Sequence, residues 1–428
     1  MREWAKGLHR MLLLASVAHA KWEYRVSSAI LGDRKRLWLL AMLTLSAVLV
    51  SAALAADLPK MLGGKEAYTP SFYTPATFWI SAVIGFCAGL ITGTIGAGGG
   101  FIITPALMSA GVKGILAVGT DLFHIFAKAI MGTVVHKKLG NVSVGLAAAF
   151  LVGSVLGATG GGLINRALYE TNPVLSDTFI SVVYVLLLGF LGAYSLLDFL
   201  RLRKLEEGQV GAHFGESPHG VELATGKKGL PARLQEAKIP PLLTFDEDLV
   251  PGGKRIPALF VALCGLLVGF VASIMGVGGG FLTFPMFVYI LGVSSFTTVG
   301  TDVLQIIFTA GYAAIAQYAI YGFIFYTLAM GMLIGSLIGI QVGALATKVV
   351  KGIYIRGFYA TAVIAGFLNR LFALPRQLRD MEVLDISRSL ADGLTTVGNL
   401  VFFIVVGIFA FWVIGTFIAR LKVLRGEV

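Results

Sequence analysis

A glycine-rich block breaks into a long apolar run at Gly96-Ala-Gly-Gly-Gly-Phe101, and it returns 180 residues later as Gly276-Val-Gly-Gly-Gly-Phe281. A proline follows each copy four residues on, Pro105 and Pro285. Val118-Gly-Thr-Asp121 recurs as Val299-Gly-Thr-Asp302 at an offset of 181, and Gly153-Ser154 with Gly157 recurs as Gly335-Ser336 with Gly339 at 182. Three echoes in one order with so little drift mean an internal duplication. Glycine inside a helix costs about 1 kcal/mol relative to alanine. Inside a bilayer, broken backbone persists only where protein or a water-lined cavity satisfies its polar groups.

The bilayer setting follows from composition. The chain is 57% hydrophobic and 13% charged, where a soluble domain has about a quarter of its residues charged. Stretches such as Leu37–Ala56, Asp177–Leu200, Ile256–Met275, Ile320–Val350 and Val397–Ala419 reach the roughly 20 residues that cross a bilayer. The 54 glycines suit helices packed closely in lipid. The net charge of +11 is no nucleic-acid signal, because the basic residues gather at helix ends, as the positive-inside rule requires. Cys87 and Cys264 lie inside apolar segments and read as packing residues, neither a disulfide framework nor a metal cluster.

The expected fold is all-α: a polytopic membrane protein with two inverted helical repeats containing glycine-broken helices. Residues 1–36 form a basic arm on the anionic inner leaflet. Residues 37–56 resemble a signal sequence but are expected to stay as a first transmembrane helix. Repeat 1 occupies 77–200, in segments 77–95, 101–112, 115–137, 141–164 and 177–200. Repeat 2 occupies 256–373, in segments 256–275, 281–292, 295–320, 322–348 and 354–373. The polar stretch 201–255 reads as a mostly unstructured cytoplasmic linker, 374–396 as an interfacial amphipathic segment, and 397–420 as the last span. If all five segments cross, their odd number inverts the second repeat. Both termini and the His136–Lys138 cluster then fall in the cytoplasm, and only Arg370–Arg379 violates the charge rule. Short segments that dip in and return are the other possibility.

Two features carry chemistry. Each glycine break starts a half-helix whose N-terminal amides suit an anion, which marks Gly98, Gly99, Gly100, Gly278, Gly279 and Gly280. A close helix crossing is the bland reading of the same glycines. The second feature is a polar stripe: Asp121, His124 and Lys128 at i, i+3 and i+7 share one helix face, and ionisable groups at membrane depth mark substrate or proton paths. The matching positions are Asp302, Gln305 and Thr309, with Thr301 before them. The aspartates thus repeat while the histidine and lysine do not. Helix capping by the aspartates, or pairing of Lys128 with Asp121, is the structural alternative. Asp198 is expected to pair with Arg201 at a helix end.

The tandem Gly-x-Gly-Gly-Gly-Phe…Pro with Val-Gly-Thr-Asp resembles the sulfite exporter TauE/SafE family of membrane permeases, over roughly 77–165 and 256–350. The resemblance implies transport of sulfur-containing anions or related organic acids. The leading reading is a secondary transporter of a small anion in the cytoplasmic membrane, with Lys128 supplying positive charge and His124 with Asp121 coupling protons, since histidine titrates near neutral pH. The alternative is an ion channel or a cation transporter using Asp121 and Asp302. No ATP-binding motif, nucleophile–base pair or His-Glu-x-x-His spacing occurs, so no enzyme, cofactor or metal is expected. The expected partners are the anion and the lipid bilayer, not nucleic acid; oligomeric state is left open.

Overall fold

The computed structural model describes residues 75–95, 99–139, 143–206, 230–246, 253–346, 350 and 352–419. The basic arm 1–36, the first span 37–56, Gly98 and the side chains of His136–Lys138 lie outside that description. Five helices form the first half: α1 (Pro75–Ile95), α2 (Gly100–Ser109), α3 (Gly114–Leu139), α4 (Val144–Thr171) and α5 (Pro173–Glu206). The second half follows the same order with α7 (Ala258–Met275), α8 (Gly280–Pro285), α9 (Ser295–Tyr312), α10 (Tyr326–Ala346) and α11 (Gly352–Asp380). α8 runs on as a π-helical turn, Met286–Leu291, and α9 as another, Ala313–Tyr318. A final helix, α12, spans Arg388–Ala419. Between the halves lie a short helix α6 (Leu230–Glu236) and an antiparallel pair, β1 (Leu242–Phe245) and β2 (Lys254–Pro257).

Eight helices among the described residues are long and apolar enough to cross a membrane: α1, α4, α5, α7, α9, α10, α11 and α12. The chain is therefore an integral, multi-pass, all-α membrane protein. α2 cannot cross: its 10 residues extend about 15 Å at 1.5 Å per residue, half the hydrocarbon thickness. Of the two possibilities left open for the short segments, the length of α2 excludes full crossing. In repeat 2 the route is explicit. The start of α7 is tied to the hairpin by Ala258 N–H donating to the Pro241 carbonyl, 2.9 Å. The end of α8 is tied to the same module, as Gln235 donates to the Leu291 carbonyl and Lys254 to that of Gly292. α7 and α8 go out and come back to one end.

Small residues set the helix crossings. α1 lies along α10, and α4 along α7, so the first helix of each half packs on the fourth of the other. A methyl at Gly89 would lie 2.5 Å from the Ser336 carbonyl oxygen, and one at Gly161 2.5 Å from that of Phe270. Such contacts need glycine, because the facing backbones are already in touch. Gly153, Ser154 and Gly157 of the third sequence echo lie on the α4–α7 crossing, and Gly335, Ser336 and Gly339 on the α1–α10 crossing. The equivalent helices α3 and α9 run in opposite directions. Ser143, just past α3, donates its N–H to Thr301 near the start of α9, at 3.0 Å; Gly119 near the start of α3 packs on Phe323 beyond the end of α9.

The linker also departs from expectation. Residues 201–206 continue α5, and 230–246 with 253–255 are folded rather than unstructured. Its apolar side chains join the bundle: Phe245 and Ile256 are buried in a core with Leu146, Phe150 and Phe287. Polar groups at helix ends also hold it: besides the carbonyls of Leu291 and Gly292, Asp246 accepts from Ser294 N–H (2.9 Å), Ser294 Oγ (2.6 Å) and Thr297 Oγ1 (2.6 Å) at the start of α9. The proposed amphipathic segment 374–396 does not form a helix by itself. Its first part extends α11 to Asp380 and its last part begins α12 at Arg388.

Arg370 explains the exception to the charge rule. It is buried, 2% exposed, and donates to the Pro105 carbonyl (3.3 Å), Ser109 Oγ (3.0 Å) and Asn369 Oδ1 (2.8 Å). Its charge serves the negative end of the half-helix α2 and is no loop signal. Arg376 and Arg379 pair with Asp392 and Asp380. Asp198 pairs with Arg356 of α11 at 3.3 Å, not with Arg201.

Candidate functional site

The two glycine breaks meet. A methyl at Gly100 would lie 2.7 Å from Val277 Cα; one at Gly276 would lie 2.8 Å from Thr104 Oγ1 and 2.9 Å from Val118 Cα. The rings of Phe101 and Phe281 are 6.5 Å apart. Tyr184 of α5 closes the join by donating to the Met275 carbonyl at 2.6 Å. Gly99 and Gly279 occupy the residue before each half-helix with φ of 71° and 86°, the left-handed region that glycine adopts without strain. That is the physical content of the repeated block.

Each half-helix start faces an aspartate. A methyl at Gly100 would lie 3.3 Å from Asp121 Oδ2, and one at Gly280 would lie 3.3 Å from Asp302 Oδ2. Both aspartates are the eighth residue of their helix, counting from Gly114 and from Ser295, so neither caps it. A negative side chain at a helix N-terminus is stabilised by the peptide dipoles and by amides that have no intrahelical partner.

Around Asp121 the network is short of donors. Thr104 Oγ1 donates to Oδ2 at 3.1 Å. Oδ1 faces His124 Nδ1 at 3.5 Å, with both side chains fully buried, and neither atom has a hydrogen bond among the described residues. The other ring nitrogen of His124 pairs with Ser336 Oγ of α10 at 2.9 Å. Lys128 is half-buried one turn further along and attracts Asp121 electrostatically.

Around Asp302 the same positions are fully connected. Gln305 Nε2 donates to Asp302 Oδ1 at 2.8 Å and reaches Thr283 Oγ1 at 3.4 Å. Thr309 donates to Gln305 Oε1 at 2.8 Å and shares a 2.8 Å hydrogen bond with Ser154 of α4. His124 therefore reaches the serine of the crossing directly, while Gln305 reaches its counterpart through Thr309.

The structure gathers Gly99, Gly100, Asp121, His124 and Lys128 in one cluster, and Gly279, Gly280, Asp302 and Gln305 in its counterpart. Gly278 packs on Ile125. Thr301 does not join, since its hydroxyl oxygen accepts from Ser143 N–H. Thr104, Thr283 and Tyr184 were not singled out in the sequence. The threonines had a faint signal, one polar residue between the glycines and the proline of each repeated block; Tyr184 had none, lying in the apolar stretch Val182–Leu188.

Broken helices meeting at a buried ionisable cluster, inside a bundle of membrane-length helices, define the class: a polytopic membrane protein with a built polar site. The chain belongs to the sulfite exporter TauE/SafE family, whose model matches residues 81–369, and is a membrane transporter of that family. It is 22% identical over 267 residues to the probable membrane transporter protein YjnA of Bacillus subtilis (strain 168), covering 61% of this chain and 87% of that one. It is 30% identical over 131 residues to the probable membrane transporter protein YunE of the same organism, covering 30% and 46%. With the probable membrane transporter protein MJ0441 of Methanocaldococcus jannaschii it shares 24% identity over 214 residues, 48% of this chain and 59% of that one. The chain thus spans most of the first relative and less than two thirds of the other two. No solved structure matches it.

Proposed function

We propose that the protein is a secondary transporter that carries a small anion, a sulfur-containing oxyanion or organosulfonate, with a proton across the cytoplasmic membrane. One observation carries this reading: both half-helix starts face an aspartate, but only one cluster adds an ionisable histidine and a lysine. In the arrangement described, Asp121 holds both the start of α2 and the attraction of Lys128. A proton delivered to the Asp121–His124 pair removes that negative charge. The ammonium and the first-turn amides of α2 then turn to an anion, so proton and anion bind together. The family description supports the substrate class.

We read the two halves as an inverted pair. Support comes from the opposite run of α3 and α9 and from the reciprocal packing of α1 on α10 and α7 on α4. Such a pair is a common frame for alternating access, with the site where the repeats meet. Both chain ends are then cytoplasmic, on the side of the linker's basic start at Arg201-Leu-Arg203-Lys204.

The test is flux into proteoliposomes of sulfite, thiosulfate, sulfate, sulfonates and carboxylates, with and without a proton gradient. Lys128→Gln is expected to lower flux at least tenfold while the protein stays folded in detergent. Undiminished flux in that variant sinks the anion site. Flux that needs a cation gradient and no anion returns the protein to the cation-carrying alternative.

A further inference from the structure

The two aspartates differ in how their charge is balanced. At an offset of 181 residues, Asp121, His124 and Lys128 answer to Asp302, Gln305 and Thr309. Both carboxylates face the first glycine of a half-helix at the same distance, so the helix dipole serves both alike. Repeat 1 adds the Lys128 ammonium to that field. Repeat 2 has Thr309 in the lysine's place, its hydroxyl already engaged by Gln305 and Ser154.

The groups facing Asp302 are uncharged on every side that the structure describes. Its own helix presents Gln305 and Ile306, α8 presents Gly280 and Thr283, and α4 presents Ser154 behind Thr309. Among the described residues no lysine, arginine or histidine forms an ion pair with it. Hydrogen bonds from an amide and a hydroxyl ease a carboxylate's burial but do not cancel its charge. A carboxylate inside a membrane span is retained where it has a charge partner or a transport role. Oxygen is at hand for a cation: besides the carboxylate there is Thr283 Oγ1, itself bonded to the Gly279 carbonyl at 3.0 Å. Asp121 is fully buried, while Asp302 is partly buried, so of the two carboxylates only the second keeps some exposed surface.

We infer that Asp302 takes one cation from solution, an alkali ion or a proton, at a position where repeat 1 carries its own cation as the Lys128 ammonium. Repeat 2 thus binds the co-ion, and the lysine of repeat 1 is a tethered stand-in for a second one. This holds whichever anion is carried.

Equilibrium stability of the full chain in detergent, with no anion substrate added, tests it. The unfolding midpoint is followed in Na⁺, K⁺ or Li⁺ chloride against choline chloride at constant ionic strength, and across pH. A ligand that binds only the folded state raises the midpoint with its concentration. The wild type is expected to gain several degrees with one alkali ion, or to lose them as pH rises if the ion is a proton, while Asp302→Asn stays level. Lys128→Thr is expected to respond more steeply than wild type, because Asp121 then needs an ion as well. A wild type indifferent to all these ions and to pH, or an Asp302→Asn variant that responds just as strongly, overturns the inference. Titration of the wild type alone with NaCl, or for proton release on raising pH, keeps the test open should a variant not fold; a result of no cation bound and no proton released also overturns it. Since chloride is constant across the series and no sulfur-containing anion is added, its outcome is separate from that of the flux experiment.

Discussion

Replacing Gly276 by alanine probes the join between the two halves. The residue ends α7 with φ of 78°, and a left-handed conformation costs an L-residue with a Cβ about 1–2 kcal/mol. The added methyl would also lie 2.8 Å from Thr104 Oγ1, 2.9 Å from Val118 Cα and 3.0 Å from the Val118 carbonyl oxygen. Two of those three atoms are backbone of the other repeat and cannot swing aside. Forcing a methyl into a packed site costs about 1–3 kcal/mol, so the two effects together cost about 2–5 kcal/mol. Gly415 is the matched control: it lies in α12, exposed, with nothing within 4 Å of a built Cβ. Alanine there gains up to about 1 kcal/mol in helix propensity. Unfolding by denaturing detergent should therefore separate Gly276→Ala from Gly415→Ala by about 2–6 kcal/mol, and flux should fall in the first variant alone, since the displaced Thr104 is the donor to Asp121. Equal stability of the two variants would falsify the claim that the breaks abut.

The corners that follow the two half-helices give a ranked pair. Asp246→Ala removes three short hydrogen bonds to a carboxylate that is 5% exposed and is expected to cost about 3 kcal/mol. Asp177→Ala removes one, from Gly114 N–H at 2.7 Å, and is expected to cost about 1–2 kcal/mol; Asp177→Asn keeps an acceptor oxygen and should cost less. The order of the unfolding midpoints checks both, and a reversed order argues against the corners being held this way.

Much of the architecture was legible because the energetics of a bilayer are local. A run of apolar residues of the right length declares a span, and a glycine cluster inside it declares a break. The boundaries of α1 to α5 and α7 to α11, with the π-helical turns of α8 and α9 included, consequently fall within a few residues of the apolar segments, apart from the extensions at the ends of α4, α5 and α11. What failed were the segments that depend on distant partners. Residues 230–257 look like linker because they lack an apolar period of their own, yet Phe245 and Ile256 bury against α4 and Phe287, and the carbonyls of Leu291 and Gly292 and the first turn of α9 supply further bonds that order them. Arg370 looks like a misplaced loop charge until the end of α2 is seen beside it.

Sequence alone determined that the chain is duplicated, that each copy breaks a helix at four glycines, and that the aspartates repeat while His124 and Lys128 do not. Those are facts of order and of type, and the cost of polar backbone in lipid is enough to interpret them. Only the tertiary structure decided that the two breaks abut, that each carboxylate faces the start of a half-helix from the same repeat, and that Thr104 and Thr283 complete the two networks. Contacts such as Gly100 on Val277 and His124 on Ser336 join residues about 180 and 210 positions apart. No local periodicity encodes distances of that kind; they come from how the glycine crossings let the two halves close on each other.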